Sequence, residues 1–241
     1  MQIIVQMFFI MYAYHSDVGE KDFVEKNSLI LVMLSNLLCL LILTVIFRLR
    51  KKRLLTEINA VYVSAKTYIL PIVCTTSYSV VFSMICYNIE FANSTAIVKS
   101  IQHYSNILWG SGIVILILST LIVTPIVEET ICRGLMITYL KQSVSPTTAI
   151  VFSSLLFGAI HILAGGMLLA ISSSIAGLLF GIVFEKTHSL RPAIVAHIAA
   201  NLPGIAMMIL PAPTIEIRIS IGLLFTMVFI FNFILMLKSG K

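Results

Sequence analysis

The sequence predicts an all-α, polytopic transmembrane bundle of about seven to eight spans around a polar intramembrane cavity. Three observations predict it. Hydrophobic residues make up 59% of the 241 residues and charged residues 11%, against about 25% charged in a soluble domain. The apolar runs are long and unbroken, which suits helices; a membrane barrel shows short alternating segments. The few ionisable groups within apolar segments recur at helical spacing in the second half of the chain.

A span needs about 20 apolar residues. The segments that meet this are 28–47, 67–89, 107–127, 147–164, 167–185, 192–210 and 219–237. The third is expected to stay helical past 127, through Glu128 and Glu129. Residues 1–14 are apolar but short, without a preceding Lys or Arg, and are read as an interfacial helix rather than a secretory signal. Residues 15–27 are polar and solvated. The Gly165-Gly166 pair reads as a tight turn between antiparallel spans, and Ser189–Pro192 as a second break with proline at a helix start. Pro211 and Pro213 punctuate the loop before the last span. No repeat, low-complexity tract or linker divides residues 1–241, so they form a single membrane domain.

The net charge of +6 draws on RLRKKR, residues 48–53, at the end of the first span. This placement marks a cytoplasmic stop and a contact with anionic lipid, not a nucleic-acid surface. With residues 48–66 in the cytoplasm, Arg133, Lys141, Lys186, Arg191, Lys238 and Lys241 fall on the same side. Lys99 and Arg218 fall opposite. The protein is thus expected to be a multi-pass cell-membrane protein with a cytoplasmic C terminus and the Glu128 region toward the cytoplasmic side. Cys39, Cys74, Cys86 and Cys132 form no CxxC pair and are read as small buried residues.

Three constellations carry the chemistry. In VEETICRG, residues 127–134, Glu129 and Arg133 lie four apart and share a helix face, the acid first. Glu128 points about 100° away and has Cys132, not a cation, at its own i+4. A carboxylate without a cation partner in an apolar site suits a general acid or base, while a plain interfacial ion-pair cluster would use the same residues. In FGAIH, residues 157–161, Phe157 and His161 share a face. In HIAAN, residues 197–201, His197 and Asn201 do so. Taken singly, the last two read as interhelical glue worth about 0.6–2 kcal/mol each.

Together they say more. Of five histidines, His15, His103 and His188 fall in loops, and His161 and His197 fall in spans separate from the glutamate helix. Lipid penalises three ionisable faces unless they converge on one polar site. A carboxylate, two imidazoles and an amide supply a base for water, proton carriers and an oxyanion donor. Other hydrolytic schemes are excluded. There is no HExxH, and the aspartates are confined to Asp17 and Asp22. Position 109 is Trp where a GxSG motif ending in Ser111-Gly112 needs Gly.

EETICR, FGAIH and HIAAN, in this order and spacing, resemble the EExxxR, FxxxH and HxxxN motifs of the CPBP family (CAAX proteases and bacteriocin-processing enzymes, also called Abi). The resemblance covers roughly residues 107–210, which it marks as the catalytic core, with motif-free spans in 1–106 and a last span in 211–241. It implies an intramembrane endopeptidase, CAAX prenyl endopeptidase-like and commonly classed among metalloendopeptidases. Glu128 would be catalytic, Glu129 would pair with Arg133, and Phe157 would support the site. His161 would act with Glu128 on the nucleophilic water, and His197 and Asn201 would stabilise the oxyanion or help bind a metal. The cofactor would be none or a divalent metal such as zinc, held if present by Glu128, His161 and His197. The partners would be membrane lipid and a peptide or protein substrate entering from the bilayer or the cytoplasmic side, with no nucleic acid. Many members carry an aromatic residue where this chain has Cys132. A non-catalytic immunity or peptide-binding protein of the same family is the alternative. A coupled transporter would want repeat symmetry, and none is found.

Overall fold

A computed structural model describes residues 20–88, 112–209 and 213–239. Residues 1–14, His15, Lys99, His103 and Pro211, all read above, lie outside them. Every regular element among the described residues is helical, as the composition requires.

α1 is Glu20–Leu49, with its membrane-length part at Leu29–Leu49. It starts within the segment expected to be a solvated loop, because Glu and Lys are good helix formers and extend the helix outward from lipid. A basic turn leads to α2, Leu54–Glu57, and then to α3, Lys66–Asn88. α4, Gly112–Leu140, carries the two glutamates mid-way, so the third span does run on as expected. It also runs deeper than expected: twelve residues, about 18 Å at 1.5 Å each, separate Glu128 from Leu140. α5 is Pro146–Ile162, α6 is Gly166–Thr187, α7 is Leu190–Ile209 and α8 is Ile215–Lys238. α3, α4, α6, α8 and the apolar part of α1 are long and apolar enough to cross a membrane; α5 is a shorter apolar helix.

Local chemistry sets the breaks. Ser145 caps α5, its hydroxyl accepting from the Thr148 N–H at 3.1 Å, with Pro146 in the first turn where no N–H is needed. The reversal between α5 and α6 falls at Gly166, whose φ of +71° a side chain rarely tolerates. His188 ends α6 in the left-handed region, and α7 starts at Leu190, two residues before Pro192.

α5 and α6 form a tight antiparallel pair. A Cβ on Gly158 would strike the Ala170 carbonyl and Ser174, and one on Gly181 would lie 2.7 Å from Ile150. Glycine here lets two backbones approach. α7 packs against α3, α4 and α6; α8 covers α3, and α1 lies on α4. Side chains of the N-terminal helices reach into this arrangement. Asn36 of α1 donates to Thr124 of α4 at 2.9 Å, and Thr75 and Thr76 of α3 donate to the Ala196 and Ala199 carbonyls of α7.

The segments 50–65, 139–145, 185–191 and 237–239 meet at one end of the bundle. Tyr139 donates to Glu57 at 2.9 Å, Leu190 N–H to the Asn59 carbonyl at 3.0 Å, and Lys186 to the Leu237 and Ser239 carbonyls. The Tyr139 hydroxyl, then Lys52, holds the Glu57 carboxyl below the usual carboxylate range. Arg133, expected on the same side as the basic residues, is wholly buried within the bundle, its neighbour Gly134 lying against Ile58 of this end.

Overpacking costs about 1–3 kcal/mol, so Gly158→Ala is expected to lower the thermal unfolding midpoint in detergent. Gly204→Ala, where the new methyl meets nothing within 4 Å, should leave it level or slightly raised.

Candidate active site

The site begins with a distortion of α4. Two stretches, Leu118–Val123 and Thr130–Ile137, are π-helical. Such stretches often accompany functional sites. In the first, Thr124 N–H bonds the Ser119 carbonyl, five residues back. The equivalent donor for the Thr120 carbonyl would be Pro125, which has no N–H. Asn201 supplies it from α7, Nδ2 to O at 2.9 Å.

Glu129 and Arg133 are both fully buried, and Nη1 donates to Oε1 at 2.9 Å. The expected i,i+4 pair is therefore formed, but inside the protein. Arg133 Nη2 donates to the Gly177 carbonyl at 2.9 Å. Its guanidinium lies 4.6 Å from the centroid of Phe157 and 5.3 Å from that of Phe180. Two ring faces and a carbonyl thus replace water around the cation. A Cβ on Gly177 would sit 3.0 Å from Nη2, so glycine is what lets α6 approach.

His197 lies between the two glutamates. Its Nδ1 is 2.9 Å from Glu129 Oε1, and its Nε2 is 3.8 Å from Glu128 Oε2. The ring stacks on Phe180 at 4.6 Å and meets Phe157 edge-on at 5.8 Å. Glu129 Oε1 already accepts from Arg133, so Nδ1–H of His197 donates to it, and in the neutral tautomer the lone pair at Nε2 is turned toward Glu128.

Glu128 keeps 18% of its side chain exposed. His161 is half-buried, with Nδ1 2.6 Å from the Phe157 carbonyl. A carbonyl can only accept, so Nδ1–H donates here, and in the neutral tautomer the lone pair is at Nε2. The Phe157 side chain is buried, 4.7 Å from the His161 ring and 6.4 Å from Phe180.

The sequence-derived residues therefore divide into groups. Glu129, Arg133, Phe157 and His197 form one buried cluster, with Glu128 at its edge. His161 is joined to it through Phe157, and Asn201 is engaged with Thr120. Phe180, Gly177 and Thr120 escaped the sequence reading because an apolar ring and two backbone carbonyls leave no polar mark. Cys132, where many family members have an aromatic, packs with Phe157, Phe180, Ala196 and Ala200. Its carbonyl accepts from Ser153 at 2.8 Å.

A metal was expected, if present, on Glu128, His161 and His197. Two imidazole lone pairs and a carboxylate are suitable donors, but no group of three His, Cys, Asp or Glu side chains arranged to hold an ion occurs among the described residues.

Residues 110–203 match a family model described as Rce1-like, type II CAAX prenyl endopeptidase Rce1-like. The CPBP resemblance of the three motifs is borne out over this stretch, which contains every residue of the cluster, and a CAAX-type intramembrane protease family is the one it points to. No curated protein and no solved structure matched the chain in the comparisons made.

Removing one partner of a buried ion pair costs about 3–5 kcal/mol. Glu129→Gln and Arg133→Ala should therefore each lower the thermal midpoint in detergent sharply. Glu128→Gln, at the edge, should shift it by about 1 kcal/mol or less.

Proposed function

We propose that the protein is an intramembrane endopeptidase that hydrolyses a peptide bond of a membrane-associated protein or peptide, with Glu128 as the base. The substrate class is a prenylated-type C terminus or a bacteriocin-type leader, reached from the bilayer or the cytoplasmic side. The observation that carries the reading is the division of labour between adjacent carboxylates. Glu129 is committed to Arg133 and His197, whereas Glu128 has no salt bridge to Arg or Lys among the described residues and faces His197 Nε2 at 3.8 Å. Two hydrogen bonds of about 2.8 Å meeting near a right angle span such a gap, so one water can touch both atoms.

In this reading Glu128, assisted by the Nε2 lone pairs of His197 and His161, takes a proton from that water as its oxygen adds to the scissile carbonyl carbon. The carbonyl oxygen becomes an oxyanion, and the second amide N–H of Asn201 is the donor available to it. Glu128 then returns the proton to the leaving nitrogen as the C–N bond breaks. The products are a carboxylic acid and an amine, and the base is regenerated. Charge asymmetry supports a cytoplasmic C terminus and a basic end facing the cytoplasm.

Glu128→Gln is expected to abolish cleavage of a reconstituted substrate, by about a thousandfold or more, with unchanged size-exclusion behaviour and thermal midpoint. His197→Ala should abolish cleavage too while also lowering the midpoint, because its ring is buried between Phe180 and Glu129, and His161→Ala should cost about a hundredfold or more. Full turnover by purified Glu128→Gln would overturn the assignment, and protection of a host cell from a toxic peptide by that same variant would favour a binding role.

A further inference from the structure

The loop joining α1 to α3 has two unlike faces. Outward, Arg48, Arg50, Lys51, Lys52 and Arg53 are exposed, and of these only Lys52 forms an ion pair among the described residues, with Glu57 at 3.1 Å. The same stretch exposes large apolar side chains: Leu49 at 79%, Leu55 at 69% and Tyr62 at 84%. Cations beside outward apolar and tyrosine side chains at the end of a membrane helix suit the headgroup layer, not bulk water.

Inward, the loop is seated on the helices of the site. Ile58 is buried, and a Cβ on Gly134, the neighbour of Arg133, would lie 2.7 Å from its Cβ. The Asn59 carbonyl takes the Leu190 N–H at 3.0 Å, one of the first-turn donors of α7 that lack a helical partner. The Val61 carbonyl accepts from Ser189 at 2.7 Å and the Ala60 carbonyl from Arg191 Nε at 3.0 Å. The Arg191 guanidinium lies 3.4 Å over the Tyr62 ring. His197 is six residues beyond Arg191 on that helix.

We propose that residues 48–62 dock on anionic phospholipid headgroups, and that this docking clamps the loop onto Gly134 and the start of α7, the helix that carries His197. Both faces belong to one short segment. Headgroups that hold the outer face in place also limit the excursions by which Asn59, Ala60 and Val61 would release Leu190, Ser189 and Arg191. Each Lys or Arg near an anionic surface contributes about fivefold in affinity, and the effect fades with salt. The proposal does not rest on peptide hydrolysis, since it concerns only how the loop is held.

The test is hydrogen–deuterium exchange on the full chain in nanodiscs of phosphatidylcholine, alone or with about one-third phosphatidylglycerol. Exchange at residues 58–62 and at Leu190 should slow about fivefold or more with phosphatidylglycerol. The variant R50Q/K51Q/K52Q/R53Q should lose that difference. If it does not insert, the wild type at about 0.5 M salt, where surface charges are screened, should lose it instead. Equal exchange in the two discs, or a difference that survives both the variant and the salt, overturns the proposal; the former leaves the cations to topology or to a soluble acidic partner. No readout needs a substrate, so the hydrolytic reading stands or falls separately.

Discussion

Arg133 is a cation with no exposed surface, and the site is built around the problem it poses. A guanidinium withdrawn from water in a membrane protein persists only if charge, hydrogen bonding and polarisable surface replace what solvent supplied. Glu129 supplies the charge, the Gly177 carbonyl takes one donor, and Phe157 and Phe180 offer their faces. The satisfaction is incomplete: Arg133 Nε and Glu129 Oε2 are buried with no hydrogen-bond partner among the described residues. Such an arrangement is a poor source of stability but a strong orienting device. It ties α4 to α6, and through the Glu129–His197 contact it ties α4 to α7.

That shared carboxylate separates structure from chemistry along two adjacent residues. Glu129 spends its Oε1 on both Arg133 and His197, which fixes the imidazole proton at Nδ1. The other nitrogen then faces the less burdened Glu128. The remaining supports come from behind. Thr75 and Thr76 hold carbonyls on either side of His197, and Asn36 holds Thr124. The motif-free N-terminal helices therefore brace the backbones that present the site.

The sequence was informative wherever a property is local. The long apolar runs gave the helices, Gly165-Gly166 gave the reversal, and the four-residue spacing gave the Glu129–Arg133 pair. It left burial open. The Glu129–Arg133 pair would use the same spacing at a solvated edge or inside the protein, and the fold puts it inside. The polar run after residue 19 looked like loop because polarity reports solvent, not backbone shape. Gly177 was recoverable in part: counting eleven residues each way from the Gly165-Gly166 pair sets Gly177 opposite Ser154, and only the purpose of that approach was hidden. The contact between Asn201 and Thr120 was not recoverable, because no residue preference announces a widened helical turn.

That widened turn at Leu118–Val123 has a consequence for how the chain tolerates change. A π-helical turn absorbs one additional residue without breaking the rod, so removing one amino acid there would restore ordinary winding with both flanks close to their present register, whereas a deletion in the ordinary turns beside it would rotate upstream against downstream by roughly 100°. Thr124 and Glu129 lie on the same side of that turn, so Asn36, α6 and α7 would keep their partners, and the loss would fall on the Thr120 carbonyl that Asn201 holds. A one-residue deletion is therefore better absorbed at this turn than between Thr124 and Glu129, where it would exchange which acidic neighbour meets the imidazole.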